Sequence, residues 1–180
     1  MFTNTTFKSW DLPETLHQGL DSLGWEFATQ VQKDTIPIAR QGLDLIGQAR
    51  TGSGKTAAFG IPIIESCSPK GILQALILAP TRELASQVSE ELNTIQGDSG
   101  LVIATVYGGT DLEKQARKLQ DGVDIIVGTP GRVIDLIKRK KLKLNDIESV
   151  VLDEADEMLN MGFKDDLDII LAETPEEKQT

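Results

Sequence analysis

Two short stretches of this chain carry side chains suited to phosphate chemistry. Ala49-Arg50-Thr51-Gly52-Ser53-Gly54-Lys55-Thr56 follows an apolar run and precedes a helical stretch beginning near Lys55. That strand–loop–helix order is the context in which a glycine-rich loop wraps a phosphate. Glycines let the backbone curl so that successive N–H groups point inward. Lys55 then brings a mobile positive charge to the β- and γ-phosphates, and the Thr56 hydroxyl can ligate magnesium. Ala49 stands where the general pattern has glycine, so the opening turn is expected to be less sharp. The alternative is a glycine-rich turn that ends in a surface lysine.

The second stretch, Asp153-Glu154-Ala155-Asp156, follows Val150-Val151-Leu152 directly. A carboxylate at the end of a buried strand can hold magnesium through its water shell, and Glu154 could take a proton from water attacking a γ-phosphate. Taken alone, such a cluster is more often a solvated helix start stabilised by the helix dipole. Its pairing with the phosphate loop favours the catalytic reading.

Positioning these groups requires a scaffold. Five apolar runs, 43–47, 73–79, 102–106, 124–127 and 149–152, read as strands, most of them continuously apolar as in sheets covered on both faces. Leu12, Leu16, Leu20 and Leu23 mark one helical face, and Leu84, Val88, Leu92 and Ile95 another. Thr129-Pro130 starts a further helix, with a capping residue before proline at the first position. The alternation implies βαβ crossovers and a doubly wound α/β fold with a mainly parallel sheet and helices on both faces. Ligands then bind outside the carboxyl ends of the strands, where the chain places 49–56, 80–82, 108–109, 129–132 and 153–156.

Leu152-Asp153-Glu154-Ala155-Asp156-Glu157-Met158-Leu159 resembles the motif that names the DEAD-box ATP-dependent RNA helicases. The resemblance extends, in family order, over Ala49–Thr56, Pro80-Thr81-Arg82-Glu83-Leu84-Ala85, Gly108-Gly109 and Thr129-Pro130-Gly131-Arg132, and runs from Phe7 to the end. It implies a RecA-like phosphate-loop domain, ATP and Mg2+ as cofactors, and catalytic roles for Lys55, Asp153 and Glu154. Thr56 and Asp153 would hold the metal, the latter through water, and Asp156 would couple to a further motif.

The resemblance also implies that Gln32, within Gly24-Trp25-Glu26-Phe27-Ala28-Thr29-Gln30-Val31-Gln32, reads adenine, with Phe7 packing on the base. An amide can donate to and accept from the adenine edge. Ala28 stands where the family usually has proline, so the preceding turn is expected to be less rigid. Thr29 and Gln32 also fit a helix capping box, and capping alone would make Gln32 structural; the agreement of the surrounding motifs favours adenine contact. Pro80, Thr81, Arg82, Gly108, Gly109, Thr129, Pro130, Gly131 and Arg132 would by resemblance grip one RNA strand along its backbone, with little sequence preference. Helix starts at Thr81 and Thr129 favour phosphate, and Arg82 and Arg132 offer charged forks. Each of these motifs also fits plain capping and turn chemistry.

Composition bounds these expectations. The chain has 180 residues, 39% hydrophobic and 26% charged, enough for one ordinary domain. No apolar run is long enough to span a membrane, and the N-terminus lacks the apolar core of a secretion signal. One cysteine, Cys67, excludes an internal disulfide and a cysteine-rich zinc site. These features set the expectation of a cytoplasmic monomer. The net charge of −10 argues only against nonspecific nucleic-acid binding, because backbone N–H groups can hold phosphates without formal charge. The basic run Lys138-Arg139-Lys140-Lys141-Leu142-Lys143 reads first as a solvated helix end and second as an auxiliary RNA contact.

The chain divides on this reading into an adenine-recognition segment, 1–40, and a phosphate-loop core, 41–180. Thr174 to Glu177 reads as one more helix start. The family's Ser-Ala-Thr motif and second helicase domain do not follow, so the chain is expected to be a fragment that binds nucleotide with negligible turnover. Two other readings stay open: a phosphate-loop ATPase acting on DNA or protein, and an inert RNA-binding module.

Overall fold

The computed structural model describes all residues, Met1–Thr180. It contains two compact units, one made of Met1–Cys67 and Glu90–Gly100, the other of Ser68–Ser89 and Leu101–Thr180. No helix is long and apolar enough to cross a membrane.

In the first unit, β1 (Phe2–Thr6) pairs antiparallel with β2 (Phe27–Thr29), bracketing α1 (Glu14–Ser22). The leucine stripe of α1 turns inward as expected, with Leu16 and Leu20 buried and Leu12 buried just ahead of the helix. Helices α2 (Gln30–Arg40) and α3 (Lys55–Ser66) pack together and are joined at their exposed ends by Arg40, which donates to both Glu65 oxygens at 2.8 and 2.9 Å. Such an exposed pair contributes about 0–1 kcal/mol. Ile36 of α2 and Ala57, Ile61 and Ile64 of α3 supply the apolar filling.

The run Leu43–Gly47 is not a strand, contrary to the expectation from its composition. It is irregular, with Ile46 98% and Leu43 52% exposed. An extended segment becomes a strand only within a hydrogen-bonded ladder, and residues 43–47 belong to neither sheet.

The second unit is built on a parallel sheet of β3 (Ala75–Leu78), β4 (Ile103–Val106), β5 (Ile125–Gly128) and β6 (Ser149–Leu152), in the order β4-β5-β3-β6. Helices α4 (Arg82–Ile95), α5 (Leu112–Gln120) and α6 (Pro130–Lys138) make the crossovers, and α7 (Ala155–Asn160) and α8 (Lys164–Glu173) follow. Every residue of β3 and β5 is buried, which explains why these strands read as unbroken apolar runs. Leu76, Leu78, Val106 and Ile126 of the sheet share one core with Val133 and Leu136 of α6, Met158 of α7 and Ile170 of α8.

The register is even, with Leu78 opposite both Gly128 and Leu152, and Val106 opposite Gly128. All four carboxyl ends therefore finish level. At the other end, Asp124 acts as a clip. Its 1% exposed carboxylate accepts from the backbone N–H groups of Lys70 (3.1 Å), Gly71 (2.8 Å) and Val102 (2.9 Å) and from the Gln74 amide (3.2 Å).

Thr174–Glu177 does not start a helix. Thr174 instead closes α8, its hydroxyl donating to the Leu171 carbonyl at 2.6 Å, and the chain runs on to a single parallel bridge between Gln179 and Ser149. A threonine can serve either helix end, and here the preceding apolar turn Ile169-Ile170-Leu171 decides which.

Candidate functional site

The phosphate loop lies in the first unit. Gly52 and Gly54 adopt φ of +80° and +84°, and Gly54 forms the N-cap of α3. Left-handed backbone at alternate positions is what a curled anion cradle needs, and L side chains resist it. The Ser53 N–H donates to the Arg50 carbonyl at 3.2 Å. Inside the loop the Ser53 hydroxyl is buried without a hydrogen-bond partner. An orphaned buried donor beside a helix N-terminus fits a phosphate group. Thr51 and Arg50 are exposed, and Ala49, Lys55 and Thr56 are half-buried.

Gln32 is bound directly to this loop. Its side-chain oxygen accepts from the Thr29 N–H at 2.9 Å and its amide donates to the Gly54 carbonyl at 3.0 Å. With the Thr29 hydroxyl accepting from the Gln32 N–H, the capping box is complete. A Cβ on Gly54 would collide with the Gln32 amide nitrogen. The structure thus makes Gln32 both cap and loop anchor. Phe7 is 2% exposed and packs edge-on against Trp10, their ring centroids 5.9 Å apart, so it sits in the apolar filling of this unit.

Sequence reasoning missed one group here. Glu91 is half-buried in α4 and accepts a hydrogen bond from Thr56. Burial pushes its carboxyl above the usual range, and the Thr56 bond offsets this only in part. A hydroxyl whose proton is committed to a carboxylate keeps its lone pairs for a cation, so Thr56 fits the role of magnesium ligand. The available signal was a carboxylate on the stripe marked by Leu84, Val88 and Ile95.

In the second unit, four of the expected loops leave the level carboxyl edge of the sheet. The ladder continues one residue past the strands, through Ala79 N–H to Gly128 O (2.9 Å), Thr129 N–H to Val106 O (3.0 Å) and Asp153 N–H to Leu78 O (2.9 Å). These bonds bring Pro80–Arg82, Gly108-Gly109, Thr129–Arg132 and Asp153–Asp156 side by side. Thr81 caps α4, its hydroxyl accepting from the Leu84 N–H at 3.2 Å. Thr129 caps α6 with Pro130 behind it, without a side-chain cap bond. The Arg82 guanidinium lies over the Tyr107 ring, 4.7 Å from its centroid, a contact no sequence pattern announced. Gly108, Gly109 and Gly131 are exposed.

Arg132 is tied inward. Its two terminal nitrogens donate to the Gln115 side-chain oxygen at 2.9 Å and the Thr110 carbonyl at 3.1 Å. Asp153 is 3% exposed, whereas Asp156 is on the surface. Glu154, the N-cap of α7, has φ +54° and ψ +50°, a left-handed geometry that costs a non-glycine residue about 1–2 kcal/mol. Strain of this kind clusters at functional positions. The basic run ends α6: 138–141 are exposed and Leu142 turns into the core.

Known proteins resemble this chain over most of its length. The family model described as DEAD/DEAH box helicase matches residues 29–180. The chain is 52% identical to the ATP-dependent RNA helicase CshA of Listeria monocytogenes over 177 residues, which is 98% of this chain and 34% of that protein. It is 54% identical to the RNA helicase CrhR of Synechocystis over 181 residues, 99% of this chain and 37% of that protein. Among solved structures, a DEAD box protein from the hyperthermophile Methanococcus jannaschii superposes with a TM-score of 0.92 at 41% identity, covering 97% of this chain and 48% of that one. The chain thus spans about a third of the length of the curated relatives it matches.

Proposed function

Because the chain belongs to the DEAD/DEAH box helicase family, we propose that it is the nucleotide- and RNA-binding N-terminal part of an ATP-dependent RNA helicase. The observation that carries the nucleotide half is the hydrogen bond from Gln32 to Gly54. The amide that would read adenine thus lies against the last glycine of the phosphate loop. The Lys55 ammonium would pair with the β- and γ-phosphates, and the loop N–H groups and Ser53 hydroxyl would bind the remaining oxygens.

No group of three His, Cys, Asp or Glu side chains is placed to hold a metal ion, so a cation would rely largely on phosphate oxygens and water. Thr56 and Asp153 are the residues that would hold magnesium, which when bound neutralises charge on the phosphates. Glu154 would accept the proton of the attacking water. Asp156 would couple this site to a further motif of the family, and a second helicase domain would complete closure. The chain alone is expected to bind nucleotide and turn it over negligibly, since an arginine finger from such a domain is worth about 10³–10⁵ in rate.

The RNA half rests on the level edge carrying Pro80, Thr81, Arg82, Gly108, Gly109, Thr129, Pro130 and Gly131. Two helix starts and exposed glycine backbone offer N–H groups to successive phosphates, and the reading gives the protein a cytoplasmic place of work. Calorimetric titration with Mg-ADP and Mg-GDP, beside Lys55→Ala and Gln32→Ala, tests the nucleotide half. Binding of ADP alone, weakened by both substitutions in folded protein, is expected. Equal affinity for GDP would overturn the adenine assignment.

A further inference from the structure

The tie that turns Arg132 inward is part of a closed set of hydrogen bonds. Besides accepting from Arg132, the Gln115 side chain donates to the Thr110 hydroxyl at 2.6 Å and to the Tyr107 carbonyl at 3.2 Å. The Thr110 hydroxyl in turn donates to the same Tyr107 carbonyl at 3.1 Å. Arg132 spans back to the Thr110 carbonyl at 3.1 Å, and its Nε is buried with no partner. Both ends of the Tyr107–Thr110 loop are therefore held by two side chains from outside it, one on α5 and one on α6. Between those ends lie Gly108 and Gly109, the latter at φ +80°.

Two backbone-flexible residues would otherwise sample many conformations, and ordering them on binding would weaken affinity. Held at both ends, the loop presents a fixed backbone. Arg132 reaches that backbone only by directing its fork at protein acceptors. Arg82 differs: it is exposed, rests on the face of Tyr107, and keeps its charge at the surface.

We propose that Gln115 and Arg132 form a clamp that pre-sets the Gly108-Gly109 loop for RNA, and that Arg132 is a positioning residue rather than a phosphate contact. The inference rests on the RNA-binding reading for its purpose, while the clamp itself is tested without RNA. It divides the two arginines of the edge by role: Arg82 meets the ligand, and Arg132 shapes the surface that does.

The experiment uses the whole chain with Gln115→Leu, Arg132→Gln, the double variant and Arg82→Gln. Backbone order parameters at Gly108 and Gly109, in the rigid range of about 0.85 while the clamp holds the loop, are expected to fall below about 0.6 in each clamp variant. The double variant is expected to add little, because either loss opens the same clamp. Amide hydrogen exchange in the buried strands β3 and β5, left unchanged, shows that the protein is folded. Unaltered order parameters at Gly108 and Gly109 in Arg132→Gln would overturn the clamp.

Binding of labelled oligouridine is then followed between about 50 and 200 mM salt, where each phosphate contact on a single strand contributes roughly 0.7 to the slope of log affinity against log salt. Arg132→Gln is expected to bind about tenfold more weakly with its slope unchanged, and Arg82→Gln to lose slope. A slope lowered by roughly 0.7 in Arg132→Gln would make Arg132 a phosphate contact and overturn its assignment. If the unmodified chain fails to bind oligouridine at all, the RNA reading falls, and the order parameters alone decide the clamp.

Discussion

The amide nitrogen of Gln32 lies 3.0 Å from the carbonyl oxygen of Gly54, and the oxygen of the same amide lies 2.9 Å from the N–H of Thr29. One side chain thus closes the start of α2 and fixes the residue from which α3 springs. Either bond alone would be ordinary. Together they make the orientation of the amide decisive, since oxygen and nitrogen cannot be exchanged without losing both.

Gln32→Glu separates the two bonds. The carboxylate still accepts from Thr29 but now faces the Gly54 carbonyl with a second acceptor. At neutral pH the variant is expected to lose about 1–3 kcal/mol of stability in urea denaturation. Part of that loss should return under mild acid, where a protonated carboxyl donates again. Stability equal to that of the unmodified chain at pH 7 would show that the Gly54 bond contributes nothing.

Glu91 gives a pH dependence of definite sign. Burial raises its carboxyl above the unfolded value, so the folded state binds the proton more tightly than the unfolded one. The associated stability is fully present below the unfolded pKa and is lost as pH rises through the raised one. Glu91→Gln cannot ionise and avoids that loss. Its melting temperature is expected to exceed that of the unmodified chain at pH 7, with the difference closing as pH falls toward the ordinary carboxylate range. A lower melting temperature at pH 7 would mean that the Thr56 bond outweighs burial.

Asp124 should be the most sensitive carboxylate in the second unit. Asp124→Ala strands three backbone N–H groups, and is expected to cost about 3 kcal/mol or more. Asp124→Asn keeps one acceptor and should cost less. The midpoint of urea denaturation measures both, and a surface-like loss of a few tenths of a kcal/mol would refute the clip.

Glu154 holds a left-handed backbone with a side chain that disfavours it. Glu154→Gly is expected to be no less stable than the unmodified chain and up to about 1 kcal/mol more so, even though it deletes the carboxylate assigned to water activation. Thermal melts decide this. A clear loss of stability would indicate that contacts of the Glu154 side chain outweigh its backbone strain.

What the sequence disclosed, and what it hid, follows from the physics of each element. Strands β3 to β6 were legible because burial on both faces leaves no polar alternation, and α1 and α4 because each has one apolar stripe. Leu43–Gly47 has the same composition, but strand formation depends on a neighbour that composition does not name. The β1–β2 pair was invisible for the opposite reason: Phe2–Thr6 is mostly polar and its partner lies beyond α1. At the site, glycine and threonine positions could be read because backbone geometry selects residue type. Gln115 and Glu91 could not be assigned, since an amide or carboxylate on a helix gains its role only from what folding brings opposite it.

The strand order β4-β5-β3-β6 also constrains when the sheet can form. The innermost strands, β3 and β5, are not consecutive in the chain. As a polypeptide emerging N-terminus first, this one would release β3 and then β4 with no correct neighbour for either. Only with β5 do both gain a partner, and β6 then adds to the free side of β3. Until Ile125–Gly128 appears, the most apolar strand of the protein waits unpaired, the kind of interval in which non-local sheets are slow to form and exposed to association with other chains.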